Sequence, residues 1–122
     1  MSFLLKAELE MQQGEEFFQH ATQIEENLNM DEVYDALDSF NHASKIAFEH
    51  NDIELEAKCE AWLGKIYAKC LKKDSKAMTH YNNVVRLANS LKPRDVTKTQ
   101  WYKDSKTGLD KIRETREREE EA

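Results

Sequence analysis

"AWLGKIYAKC" (residues 61–70) decides how this chain folds. It places a glycine, Gly64, inside an otherwise helical pattern, where alanine would be better by roughly 1 kcal/mol. On a helical wheel at about 100° per residue, Leu55, Cys59, Leu63, Ile66 and Cys70 fall on one large apolar stripe. Ala57, Ala61, Gly64 and Ala68 fall on a second stripe made only of small residues. A row of small side chains lets a neighbouring helix approach closely, and glycine takes the most crowded point. The remaining side carries Lys58, Trp62, Lys65 and Lys69.

Working outward, helical spacing predicts five helices. The first runs from about Phe3 to Leu28, with Leu5, Leu9, Phe17, Ala21, Ile24 and Leu28 as its stripe and a kink or break expected at Gln12-Gln13-Gly14. Asp31 is expected to cap the second, whose stripe is Val33, Ala36, Leu37, Phe40, Ala43 and Ala47, and Asp52 to cap the third, from about Ile53 to Lys72. "KKDS" (72–75) is a turn, and the fourth helix runs from about Lys76 to Ser90. Pro93 blocks continuation because the residue before a proline is pushed out of the α region. The fifth is expected from near Asp95, carrying Trp101, Leu109 and Ile112. Short connections make consecutive helices antiparallel neighbours.

The bulk numbers agree with an all-α domain. One proline and three glycines in 122 residues leave few breakers, and no alternating Val/Ile/Thr runs suggest strands. Cys59 and Cys70, three helical turns apart, cannot bridge and read as reduced core thiols. "MSFLLKAELE" (1–10) is charged within six residues, and no apolar run approaches the ~20 residues that span a bilayer. These features lead us to expect a soluble, cytoplasmic or nuclear protein without a membrane partner. Net charge is −6, unevenly divided. Residues 1–60 hold fifteen acids against three lysines, residues 61–113 thirteen bases against four acids, and the tail "ETREREEEA" (114–122) five acids against two arginines. That tail is expected to be a solvated helical extension or disordered, and to continue into a longer chain.

A faint internal repeat is also present. Ala36–Phe40–Ala43 and Ala77–Tyr81–Val84 show the same small–aromatic–small or β-branched spacing at a separation of 41 residues. Together with "LGKIY" (63–67), this resembles the tetratricopeptide repeat. That pattern is L-G-x-x-Y on the first helix of a pair and A-x-x-x-F/Y-x-x-A on the second. Over residues 15–92, Leu63, Gly64 and Tyr67 meet the first half, and Ala77 and Tyr81 the second. Departures are Glu60 where the family has Trp, Trp62 one before the Leu, a late Pro93, and Gln23-Ile24 in place of Leu-Gly on the first helix.

The resemblance implies about two helical hairpins (a degenerate one over about 3–50 and a TPR-like one over about 53–90). A capping helix over about 95–113 completes a domain of residues 1–113, followed by the charged tail 114–122. Trp101 and Tyr102 are expected to cover the open end of the stack, and Asn82-Asn83 to lie on the helix surface. Because two repeats are near the lower limit for such a stack, the long first helix or self-association should complete the core. In this family the first helices line a concave groove for a partner peptide or helix. Lys58, Lys65 and Lys69 match groove-facing places, with Trp62 at their edge, which suits an acidic segment. The family's clamp for acidic chaperone tails matches poorly: Lys58 has a counterpart, but Trp62 stands where an arginine is needed, and Phe18 and Glu25 occupy places wanting basic and polar contacts.

No catalytic constellation is legible. The four histidines (His20, His42, His50, His80) have no metal-ligand spacing with one another or with the cysteines, and neither Gly-rich phosphate loop occurs. The expectation is therefore a non-enzymatic protein–protein interaction module, an adaptor or co-chaperone-like scaffold with no cofactor or metal. The basic region 61–113 leaves nucleic-acid binding open through Lys72, Lys73, Lys76, Arg86, Lys92, Arg94, Lys98 and Lys103. A helical oligomerisation domain using exposed apolar residues of the first or fifth helix is the third reading.

Overall fold

A computed structural model describes residues 2–22 and 29–121. The described residues form five helices and no strand: α1 (Phe3–Thr22), α2 (Met30–Glu49), α3 (Ile53–Lys69), α4 (Asp74–Ser90) and α5 (Gln100–Glu121). The expected stretch from Gln23 to Leu28 lies outside the described residues. α1 runs unbroken through Gln12-Gln13-Gly14, so the expected break does not occur. Gly14 is instead a packing position: a Cβ there would lie 2.9 Å from the Phe40 ring.

The ends of the helices follow from local hydrogen bonding. Asn29, rather than Asp31, caps α2, its Oδ1 accepting from the Glu32 amide at 3.3 Å. Asp31 and Glu32 fall inside the first turn, where negative charge suits the helix dipole. Asp52 caps α3 as expected, accepting from the Leu55 amide at 3.1 Å. Asn51 and Lys72, both with positive φ, turn the chain between α2 and α3 and between α3 and α4. α4 starts at Asp74, two residues earlier than the spacing indicated. α5 begins at Gln100, not near Asp95, because Asp95 is spent on a tight turn: its Oδ1 accepts from the Thr97 amide (2.9 Å) and hydroxyl (2.7 Å). Those bonds hold the Asp95 carboxyl below its usual range, while Val96 plugs into the core. At the far end, α5 carries the charged tail as a solvated helical extension through Glu121, and residues 113–120 are all exposed.

Consecutive helices pack as antiparallel hairpins, α1 with α2 and α3 with α4. α2 also packs on α3, and α5 lies across α3 and α4. Apolar residues of α1, α2 and α3 make the main core, with Phe18, Val33, Leu37, Phe40, Leu63 and Ile66 buried together. A second cluster around Ile46, Leu55 and Cys59 continues it, and a third joins Ala77 and Tyr81 of α4 to Leu109 and Ile112 of α5. Both cysteines are free and buried; burial pushes the Cys59 thiol up to about 12.

Gly64 does sit at a close helix–helix contact. A Cβ there would lie 2.6 Å from the Tyr81 ring, and one on Gly108 of α5 would lie 2.5 Å from the same ring. Tyr81 is thus held between two glycines, and burial pushes its phenol up to about 12. The two hairpins share this construction more fully than the sequence pattern suggested. Ala7, Glu10, Gly14 and Phe17 of α1 correspond to Ala57, Glu60, Gly64 and Tyr67 of α3, each fifty residues on. Ala36, Phe40, His42 and Ala43 of α2 correspond to Ala77, Tyr81, Asn83 and Val84 of α4, each 41 on. Gly14 thus stands on α1 where Gly64 stands on α3, nine residues before Gln23, the position 41 residues ahead of Gly64.

Candidate functional site

α3 and α5 run parallel on either side of a groove, and α1 contributes to its near edge. The direction follows from the contacts on α4: Gly64 and Gly108 both face Tyr81, and Arg116 reaches Ser75 nearer the start of α4. The groove has a volume of about 760 Å³, within the range of natural ligand clefts. Its lining includes Lys58, Trp62, Lys65 and Lys69 of α3, so the structure brings all four sequence-nominated residues into one concavity. Facing them are Trp101, Asp104, Gly108 and Lys111 of α5, with Met11 and Glu15 at the α1 edge.

The four α3 residues differ in how free they are. Lys58 is half-buried and stands 3.8 Å from Glu54 one turn earlier. Glu54 is also gripped by Arg94 at 2.7 Å; that hydrogen bond leads the effects holding its carboxyl below the usual range. Trp62 is partly core: its ring stacks on Phe40 with centroids 5.3 Å apart and meets Phe18 edge-on. The Lys65 ammonium lies 4.9 Å from the Trp62 ring centroid and 5.3 Å from that of Phe18, a pair of cation–π contacts. Lys69 is exposed and has no ion pair among the described residues, and the same is true of Lys111 across the groove. Trp101, expected to cover the end of the stack, lines the groove instead and meets Tyr102 edge-on. Four lysines against Glu15, Asp74 and Asp104 give the lining a small positive excess.

Sequence reasoning missed a buried polar cluster. Glu60 is 9% exposed. Its Oε2 accepts from His80 Nδ1 at 2.6 Å and from Asn83 Nδ2 at 3.1 Å, and its Oε1 accepts from the Ser44 hydroxyl at 3.4 Å. His80 stacks face to face on Tyr67. One carboxylate thus ties α2, α3 and α4 together, and Asn83 is an internal partner while Asn82 stays exposed. The signal was present: an acid four residues before each packing glycine, with Glu10 paired to His42 at 2.5 Å in the first hairpin. Ser44 donates to Glu60 and not to His80, so these groups do not line up as a serine–histidine–acid relay. No His/Cys/Asp/Glu cluster among the described residues could hold a metal ion, and no described helix is long and apolar enough to cross a membrane. No family model, curated protein or solved structure compared with the chain matches it.

Proposed function

We propose that this chain is a non-enzymatic protein–protein interaction module, TPR-like in construction, that receives an acidic peptide or helix of a partner in the groove between α3 and α5. The observation that carries the reading is the gathering of Lys58, Trp62, Lys65 and Lys69 in one concave site with further groups from α5. Lys69 and Lys111 offer unpaired ammonium groups to carboxylates, Trp101 offers apolar area, and the small residues Ala61, Ala68 and Gly108 keep the floor open. The module would act in the cytoplasm or nucleus as an adaptor, without a cofactor. Trp62 and Trp101 are the two tryptophans of the chain and both line the groove, so intrinsic fluorescence reads occupancy directly. Titration with Glu/Asp-rich peptides should shift the emission saturably, and Lys58→Glu/Lys65→Glu/Lys69→Glu, with unchanged helicity, should lose that response. Retained binding in the triple variant would sink the reading. Steep loss with salt for single-stranded nucleic acid, in the absence of peptide binding, would favour the basic region 61–113 as a phosphate-binding surface.

One observation favours self-association as a second reading. The large exposed apolar residues (Phe3, Leu5, Leu9, Met30, Tyr34 and Phe48) all lie on α1 and α2, with Phe48 68% and Phe3 63% exposed. Among the described residues, no large apolar side chain of α4 or α5 is as exposed. Sedimentation of Phe3→Ser/Leu5→Ser/Leu9→Ser beside the parent chain tests this: a strict monomer for the parent at high concentration removes it.

A further inference from the structure

We propose that Ser75 is a phosphorylation site for a basophilic serine/threonine kinase, and that its phosphoryl group ties α5 to α4. Ser75 is exposed, and its Oγ accepts a hydrogen bond from Arg116 Nη2 at 3.0 Å, from a residue 41 positions away on α5. Lys72, Lys73 and Lys76 surround it in sequence, with Asp74 the one acid in that segment. None of these four cations has an acidic partner within ion-pairing distance among the described residues, whereas Arg94, Arg118 and Lys58 each have one. A guanidinium aimed at a neutral hydroxyl in an uncompensated cationic surround is half of a charge-assisted pair.

The flanking sequence fits the same chemistry. Lys72-Lys73-Asp74-Ser75 places two cations three and two residues before the hydroxyl, the kind of charge pattern by which kinases select substrates. Thr97 also has a cation three residues before it, Arg94, but its hydroxyl donates to Asp95 at 2.7 Å. The Thr79 hydroxyl donates to the Ser75 carbonyl at 3.1 Å. Ser75 alone of the three uses its hydroxyl only as an acceptor. In the transfer, Ser75 Oγ attacks the γ-phosphorus of ATP and a new O–P bond forms. The bond from that phosphorus to the β-bridging oxygen breaks, ADP leaves, and the serine proton passes to the kinase's base. The product carries a charge near −2 and three strong acceptor oxygens. Arg116 is already in place for a forked contact with two of them.

The mechanical consequence lies in α5. Beyond Ile112 the helix buries nothing through residue 120, and the Arg116–Ser75 hydrogen bond ties that stretch to the body of the fold. A phosphoserine would turn that single neutral contact into a charged clamp on the helix that forms one wall of the groove.

The test uses the full chain, ATP and the catalytic subunit of a basophilic kinase, with site mapping by mass spectrometry and melting by circular dichroism. One phosphoryl group should appear on Ser75, be absent from Ser75→Ala, and form at least tenfold more slowly in Lys72→Ala/Lys73→Ala. Phosphorylation should raise Tm by about 3–6 °C, the effect of one new charged contact in a domain of this size. Arg116→Ala, phosphorylated at the same site, should show little of that rise. Equal labelling of Ser75→Ala, or an identical Tm rise with and without Arg116, would overturn the proposal. So would absence of labelling with an equal Tm rise from inorganic phosphate alone, which would make the cluster an anion site and not a modification site.

Discussion

The two hairpins use the same parts under different constraint. In each, an acid, a packing glycine and an aromatic recur on the first helix, and a ring from the second helix lies on the glycine. Phe40 lies between the Gly14 backbone and the Trp62 ring, so one of its two faces meets a side chain that can adjust. Tyr81 is held between the backbones of Gly64 and Gly108, which cannot. The acids differ in the same sense. Glu10 is half-buried and has one histidine, itself exposed, whereas Glu60 is buried and takes three donors from two helices. A repeated local pattern therefore gains its stiffness from what is stacked beyond it. The second hairpin is stiff because it has neighbours on both sides.

That difference can be broken by substitution, beginning with the rings. Phe40→Ala and Tyr81→Ala should each cost about 3–5 kcal/mol in denaturant unfolding. Tyr81→Ala should in addition loosen α5, read as faster amide exchange at Leu109 and Ile112; equal protection there would contradict the two-glycine clamp. Glu60→Ala strands the Ser44, His80 and Asn83 donors and should cost about 2–4 kcal/mol. Glu10→Ala, which frees one exposed histidine, should cost less, about 1 kcal/mol, and equal losses would mean that the hairpins are not differently constrained.

The glycines come next. Gly64→Ala gains helix propensity of about 1 kcal/mol but drives a methyl into the Tyr81 ring, for a net loss of about 1–2 kcal/mol. At Gly14 a Cβ would lie 2.9 Å from the Phe40 ring, whose other face meets the Trp62 side chain, so Gly14→Ala should cost less than Gly64→Ala, within about 1 kcal/mol of the parent. A Gly64→Ala protein as stable as the parent would show that Tyr81 can retreat. The smallest effect belongs to the surface. Glu54 titrates below its ordinary value of 4.5 because of Arg94. Its contribution is full above that value and is lost as pH falls through the lower folded-state value. Because the pair is well exposed, Glu54→Gln should cost no more than about 0.5 kcal/mol at neutral pH. Double-mutant analysis with Arg94→Gln, at pH 7 and at progressively lower pH, checks this, and the coupling should weaken as Glu54 takes up its proton.

Much of the fold was legible because it depends on short-range rules. Helical periodicity located all five helices, Asp52 announced its cap, and the small-residue stripe around Gly64 called for a close neighbour. Two of the misplaced helix starts are those where a nearby side chain had another use. Asn29 outranked Asp31 because it stands outside the helix with its oxygen free for the Glu32 amide. Asp95 was drawn into a turn with Thr97. The Lys58–Lys69 face was visible on a single helical wheel, since that face needs only one helix to define it.

What a single helix cannot specify was left to the tertiary structure. The second wall of the groove, with Trp101 and Lys111, depends on α5 folding back parallel to α3, and that docking is set by Tyr81 fitting between Gly64 and Gly108. The burial of Glu60 depends on donors from α2 and α4 arriving together, sixteen to twenty-three residues away in sequence. The sequence by itself determined an all-helical chain with a cationic face on α3. Only packing decided which residues face that cationic stripe, because helix-to-helix register is fixed by side-chain volume at a few close contacts and not by the periodicity of either helix alone.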